Sequence, residues 1–167
     1  LCCVFRLVRL NISKLIFYQC VLVFHLMLLY LKIYQLQMNQ RTKFYFSAGY
    51  GGDCSFVKNL ENLGIKSFLA DYSFDAPTEL RNFEYQKKFI KSYSSNNSIN
   101  VNDWIEAGVP KDQKKMILQI DVEGSEYEII HAITENNLEK FDIIVVEFHN
   151  LFLVNNQIFY KYFLECI

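Results

Sequence analysis

Residues 43–71 read KFYFSAGYGGDCSFVKNLENLGIKSFLAD, and this stretch decides the fold. KFYFSAG is a short apolar and aromatic run broken by small residues, which predicts a buried strand. GYGGDCSF follows it and holds three of the six glycines within four positions, at Gly49, Gly51 and Gly52. Phe56, Leu60 and Leu63 then fall at i, i+4 and i+7, one apolar stripe along a helix. Asp53 or Ser55 is positioned to cap the start of that helix, and Gly64 stands where a left-handed stop residue belongs. IKSFLAD predicts a second strand ending on the carboxylate of Asp71. Strand, glycine turn, helix and strand make one βαβ unit, whose crossover is right-handed.

Toward the C terminus the alternation repeats. RNFEYQKKFI fits either a helix or a ragged strand, and SYSSNNS is a polar loop. INVNDWIEAG predicts a short strand running into a helical turn around Trp104. KMILQID is a further strand, after which SEYE fits a capping box of Ser125 with Glu128. Ile129, Ile130 and Ile133 supply the buried face of that helix, and FDIIVVEFHN is continuously apolar, as strands in the centre of a parallel sheet are. The expected class is α/β, an open and mostly parallel sheet with helices on both faces.

Composition agrees with one folded domain. The chain has 167 residues, 51% hydrophobic and 21% charged, with a net charge of −1. That much apolar surface excludes a disordered tail, and the lack of a basic excess argues against nucleic acid as a partner. The charge is unevenly distributed. Six basic and no acidic residues precede Asp53, so the first 52 residues carry +6 and the other 115 carry −7. Leu15 to Leu31 reads LIFYQCVLVFHLMLLYL between Lys14 and Lys32, 17 residues that reach the short limit of a membrane span. Residues 1–40 are therefore read as an apolar basic segment, an anchor or a non-native extension, and residues 41–167 as the domain proper. The chain begins at Leu1 and ends in an apolar run, so both ends read as cut and the domain as truncated at its C-terminal end. Five cysteines without a Cys-x-x-Cys spacing, and only three histidines, give no zinc or disulfide pattern. Buried thiols in a reducing compartment, the cytoplasm, are expected, with membrane association through the apolar segment as the variant.

In such sheets ligands bind at the carboxyl ends of the strands. There the sequence offers Gly49, Gly51 and Asp53 after the first strand, Asp71 after the second, Asp121 and Glu123 after the third, and Glu147 and His149 after the fourth. Each has a plainer alternative. The glycines also suit a tight turn, Asp121 and Glu123 also suit a helix start, and Glu147 also suits a paired structural acid. Glu147 lies in an otherwise apolar strand, where an unpaired charge is costly. His149 is the one histidine on this rim, while His25 and His131 lie on apolar faces and read as packing residues. A dinucleotide fingerprint needs a third glycine where Cys54 stands, and no Gly-Lys-Ser/Thr phosphate loop occurs. Asp71 is spaced for ribose hydroxyls, and no basic residue is near the loop. A cofactor without phosphates, such as S-adenosylmethionine, fits better than a pyrophosphate.

LQIDVEGSEYEII followed by FDIIVVEFHNL resembles the core signature of the FkbM-type methyltransferases. FSAGYGGDCSF and FLADYSFDAP resemble that family's cofactor loop and second-strand end, and INVNDWI a segment further on, so that the likeness covers roughly residues 43–153. The resemblance implies a class I methyltransferase fold that binds S-adenosylmethionine and transfers a methyl group, usually to a hydroxyl oxygen of a sugar or other small metabolite. It implies Gly49, Gly51 and Asp53 around the methionine part of the cofactor, Asp71 on the ribose, and Asp121 with Glu123 bordering the transfer cleft. Glu147 and His149 would face the acceptor, with His149 or Asp121 as base and no metal. The chain departs from the family pattern in two places. Residues 1–38 are apolar where a polar, glycine-containing segment is expected. LFLVNNQIFYKYFLECI is also too short for the usual last helix and final strand pair. Missing strands would leave a sheet edge uncovered and favour self-association. The rival readings are an inactive remnant acting as a binding or membrane-tethered module and, last, a nicotinamide-dependent reductase.

Overall fold

The computed structural model describes residues 15–17, 42–150, 153 and 155–166. Its strands are β1 (Leu15–Phe17), β2 (Phe44–Ala48), β3 (Lys66–Ala70), β4 (Phe83–Gln86), β5 (Phe89–Lys91), β6 (Ser98–Asn100), β7 (Met116–Ile120) and β8 (Phe141–Val146). Its helices are α1 (Ser55–Asn62), α2 (Val101–Gly108), α3 (Glu126–Ala132), α4 (Glu135–Leu138) and α5 (Gln157–Cys166). Six strands form one sheet in the order β1-β8-β7-β2-β3-β4, every neighbouring pair parallel, and β5 with β6 forms a separate parallel ribbon. The chain steps outward from β2 through β3 to β4, then returns to lay β7 on the other side of β2. The strand order therefore reverses between β2 and β7, where α/β sheets open a crevice for ligands.

The unbroken apolar runs of the central strands follow from burial on both faces. On one face Phe46, Phe68, Leu118 and Ile144 pack with Trp104, Ile105 and Ile129 from α2 and α3. Phe46 stacks on Phe68 with ring centroids 4.6 Å apart and meets Trp104 edge-on at 5.1 Å. On the other face Tyr45, Leu69, Ile117 and Val145 pack with Phe56, Val57 and Leu60 from α1. Burying each such side chain stabilises the fold by about 1.5–3 kcal/mol.

Several expectations are corrected. Leu63 is not in the core: α1 stops at Asn62, Val57 fills the stripe instead, and Leu63 is exposed. Gly64 does end the turn, at φ +77°, with its N–H and that of Ile65 bonded back to the carbonyls of Glu61 and Leu60. The capping box does not form. Ser125 Oγ is taken by Lys91 Nζ, and Glu128 Oε1 accepts from the Ser92 N–H at 2.9 Å and its hydroxyl at 2.6 Å. Of the two readings open for RNFEYQKKFI the strand holds, broken into β4 and β5. His131 is exposed and stacked on Tyr162 at 4.5 Å rather than enclosed by apolar residues.

The sheet edge expected to be bare beside the last strand pairs with β1, Leu15 opposite Ile144. Leu15–Phe17, the head of the apolar run read as an anchor, is thus a strand, and the remainder of that run and His25 lie outside the described residues. Among the described residues no helix is long and apolar enough to cross a membrane. After β8, α5 brings Phe163 into the core against Phe148 and Tyr127.

Candidate functional site

The residues that follow the central strands are themselves the last rungs of the sheet. The Gly49 N–H donates to the Ala70 carbonyl at 2.9 Å, and the Asp71 N–H to that of Gln86 at 3.1 Å. The Asp121 N–H donates to the Ala48 carbonyl, and the Glu147 N–H to that of Ile120, each at 2.9 Å. A cavity of about 440 Å³ opens above them and is lined by Gly49, Gly51, Asp71, Asp121 and Glu123. That volume lies within the usual range for small-molecule sites. Tyr72, Phe74 and Phe89 add aromatic faces to it. Lys88 and Lys91 add two cations from across the cleft, which proximity in sequence to the glycine loop does not reveal.

The glycine turn is shaped by one close approach. Gly49 sits at φ +78°, and a Cβ there would lie 1.7 Å from the backbone carbonyl oxygen of Asp121, so β2 and β7 touch through bare backbone at the switch point. The Gly51 N–H donates to Asp71 Oδ2 at 3.1 Å, and Asp71 Oδ1 accepts from the N–H groups of Ser73 at 2.8 Å and Phe74 at 3.4 Å. Burial first, then the Asp71 charge, pushes the Tyr85 hydroxyl up to about 12, so it stays a donor to the carbonyls of Asp71 and Phe74. Asp53 does not reach the cavity. Its Oδ1 accepts the Ser55 N–H at 2.8 Å at the start of α1, the local role its side chain also suits.

The opposite wall gathers three carboxylates around one imidazole, with a fourth, Glu147, acting on Asp121. Glu126, which the sequence did not single out, is fully buried. Its Oε1 accepts from the Val122 N–H at 3.2 Å, the Gly124 N–H at 2.9 Å and His149 Nδ1 at 2.9 Å, while Oε2 has no hydrogen-bond partner among the described residues. With Nδ1 held, His149 Nε2 faces Glu123 Oε2 at 3.3 Å. Glu147 is not inside the apolar strand but one residue past β8, half-buried at the rim.

Burial and then the neighbouring Glu147 charge push the Asp121 carboxyl up to about 6, with Glu123 and Glu126 adding to the rise and His149 opposing it. Burial alone would lower the His149 imidazole, but the Glu126 hydrogen bond and the charges of Glu126, Glu123 and Asp121 carry it above its ordinary value. One ligand atom each from Asp121, Glu123 and His149 lies within 4.8 Å of the others, a grouping able to hold a cation. The cysteine and histidine spacing had pointed to no metal, because these three come from two different strand ends. The one signal for Glu126 is its place in DVEGSE, directly after a glycine turn that needs its backbone N–H groups held.

Of the sequence-derived candidates, five meet on one cavity, His149 stands beside them against Glu123, Glu147 acts on Asp121 through charge, and Asp53 stays apart. A family model described as the methyltransferase FkbM domain matches residues 30–163. No curated protein and no solved structure matches the chain.

Proposed function

Because the chain belongs to the FkbM methyltransferase family, we propose that it moves the methyl group of S-adenosylmethionine onto a hydroxyl oxygen of a small acceptor, a sugar or comparable metabolite. The observation that carries this reading is the meeting of Gly49, Gly51, Asp71, Asp121 and Glu123 on one cavity at the strand-order reversal. Gly49 and Gly51 would let the methionine part lie against backbone. Asp71 retains acceptor capacity for a ribose hydroxyl beside its backbone donors. Tyr72, Phe74 and Phe89 offer faces for adenine stacking. The acidic wall favours the positive sulfonium and ammonium groups of the cofactor.

The sulfonium already activates the methyl group, so the protein's part is in-line alignment and exclusion of water. The acceptor oxygen forms its bond to the methyl carbon as the carbon–sulfur bond breaks. The hydroxyl proton passes to a base, and S-adenosylhomocysteine leaves. Asp121 suits the base role better than His149, since a carboxyl near 6 is ionised at neutral pH yet basic enough to take a proton. His149, drawn toward its charged form, is suited to hold the acidic wall together, and Glu147 to face the acceptor.

Calorimetry of the full chain with S-adenosylhomocysteine is the direct test, with saturable binding expected. Folded protein that does not bind it would leave a remnant of the fold without its chemistry. Asp121→Ala is expected to lower methyl transfer by about 10²–10⁴-fold, the usual contribution of a positioned base. Activity kept within about threefold would remove Asp121 from that role.

A further inference from the structure

The acidic wall holds more negative charge than the protein neutralises. Among the described residues the lysine ion pairs involve Glu79, Glu84, Asp75 and Glu128, and none involves Asp121, Glu123, Glu126 or Glu147. Among the described residues the one cationic partner on this wall is the His149 ring, against Glu123 and Glu126. A carboxylate can only accept, so the 2.9 Å contact with Glu126 Oε1 requires the proton on His149 Nδ1. With Nδ1 so engaged, Nε2 is the ring nitrogen that faces Glu123 Oε2, at 3.3 Å.

The spacing of Asp121, Glu123 and His149 suits the shell of one cation. In an octahedral shell with bonds of about 2.1 Å, adjacent ligands stand about 3 Å apart and opposite ones about 4.2 Å. The His149–Glu123 separation of 3.3 Å fits adjacent positions, and Asp121 lies within 4.8 Å of both, within reach after small side-chain rotations. A second observation is independent of those three ligands. Glu126, with no exposed surface, lies against the cluster through His149 Nδ1, and its Oε2 has no hydrogen-bond partner among the described residues. An uncompensated carboxylate oxygen in the interior is costly, and a nearby divalent charge offsets that cost. A carboxylate on the far nitrogen of a ligating histidine is also the usual device that aims the near nitrogen at a metal.

We propose that Asp121, Glu123 and His149 bind one divalent cation of the Mn²⁺ or Mg²⁺ class, with Glu126 as the positioning residue behind the imidazole. Two carboxylates and one imidazole suit Mn²⁺ best of the oxygen-preferring ions and leave positions open to water or a substrate oxygen. A bound ion would polarise an acceptor hydroxyl. That consequence rests on the methyltransferase reading, whereas the binding itself does not.

The test uses the full chain, stripped with a chelator and titrated with Mn²⁺ alone while free ion is followed by electron paramagnetic resonance. One saturable site per chain is expected. Glu123→Gln, on a side chain 86% exposed and therefore safe for folding, should weaken uptake at least about tenfold, and Glu126→Gln by about 10–100-fold. Glu139→Gln, exposed and remote, should change nothing. Absence of saturable uptake by the folded chain overturns the site and leaves a protonated His149 paired with Glu123. Uptake that survives both Glu123→Gln and Asp121→Asn overturns it as surface binding. The same samples titrated with S-adenosylhomocysteine separate the two conclusions: cofactor binding without Mn²⁺ uptake removes the metal site alone, and uptake without cofactor binding supports the site while removing the proposed function.

Discussion

On the β3 side of the cleft, Asp71 spreads its charge over three backbone N–H groups from Gly51, Ser73 and Phe74. On the β7–β8 side, Asp121 has Glu147, Glu123 and Glu126 for neighbours and, among the described residues, only His149 to offset them. Both acids end neighbouring parts of one sheet, and both were singled out by the same pattern in the sequence. What surrounds them differs in kind. One wall is finished by its own backbone and suits holding a ligand in place. The other is left electrically incomplete and suits chemistry, in which charge or a proton must move.

Where the two walls meet, Gly49 has the largest expected effect. A Cβ at this position must displace the Asp121 carbonyl and adopt a left-handed φ, so Gly49→Ala should cost about 3 kcal/mol or more, overpacking and backbone strain combined. Gly51→Ala, left-handed but with nothing within 4 Å, should cost only about 1–2 kcal/mol. Urea denaturation of the two variants checks this. Equal losses would mean that the walls do not meet through backbone.

The same substitution should act with opposite sign on the two walls. Asp71→Asn gives up charge-assisted bonds from backbone donors, a loss of about 1–3 kcal/mol. Asp121→Asn removes a charge that its neighbours oppose. The folded state holds the Asp121 proton more tightly than the unfolded one, about 6 against the ordinary 3.8. The stability it contributes is therefore present below about 4 and lost as pH rises through 6. In chelator-treated buffer the Asp121→Asn variant should melt above the parent at pH 7, and the difference should close below pH 4. Melting of Asp121→Asn below the parent at pH 7 would break the contrast.

The smallest effect concerns the ribbon that roofs the finished wall. Burial alone would raise the Glu128 carboxyl, but the two Ser92 hydrogen bonds and the Lys91 charge carry it below its ordinary 4.5. Its contribution is present above that value and is lost as pH falls through the folded-state value. Glu128→Gln should therefore flatten the acid side of the stability profile slightly, measured by melting between pH 5 and pH 3.

Much of this architecture is legible from residues alone. β2, β3, β7 and β8 are short apolar runs closed by glycine or acid, and burial on two faces leaves few other readings for them. Gly64 marks the end of α1 because only a left-handed residue turns the chain there. The ribbon is only half legible: INVNDWIEAG gives β6 running into α2, whereas β5, three residues at the end of RNFEYQKKFI, is too short for any periodicity. Glu126 is hidden for a different reason: a glutamate in the first turn of a helix ordinarily faces water and complements the helix dipole. Only the fold shows that its carboxylate turns inward to His149. The capping box failed in the same way, since Ser92 and Lys91, distant in sequence, compete for Glu128 and Ser125 and win.

The amides of Gly49, Asp71, Asp121 and Glu147 each donate to the final carbonyl of an adjacent strand. Deuterium enters at these four positions only when these rungs of the sheet open, so their exchange should be slower than that of a mobile catalytic loop. The backbone beneath the chemistry has no ordering left to do when a ligand arrives. Adaptation to different acceptors is then confined to the side chains and turns above this rigid floor.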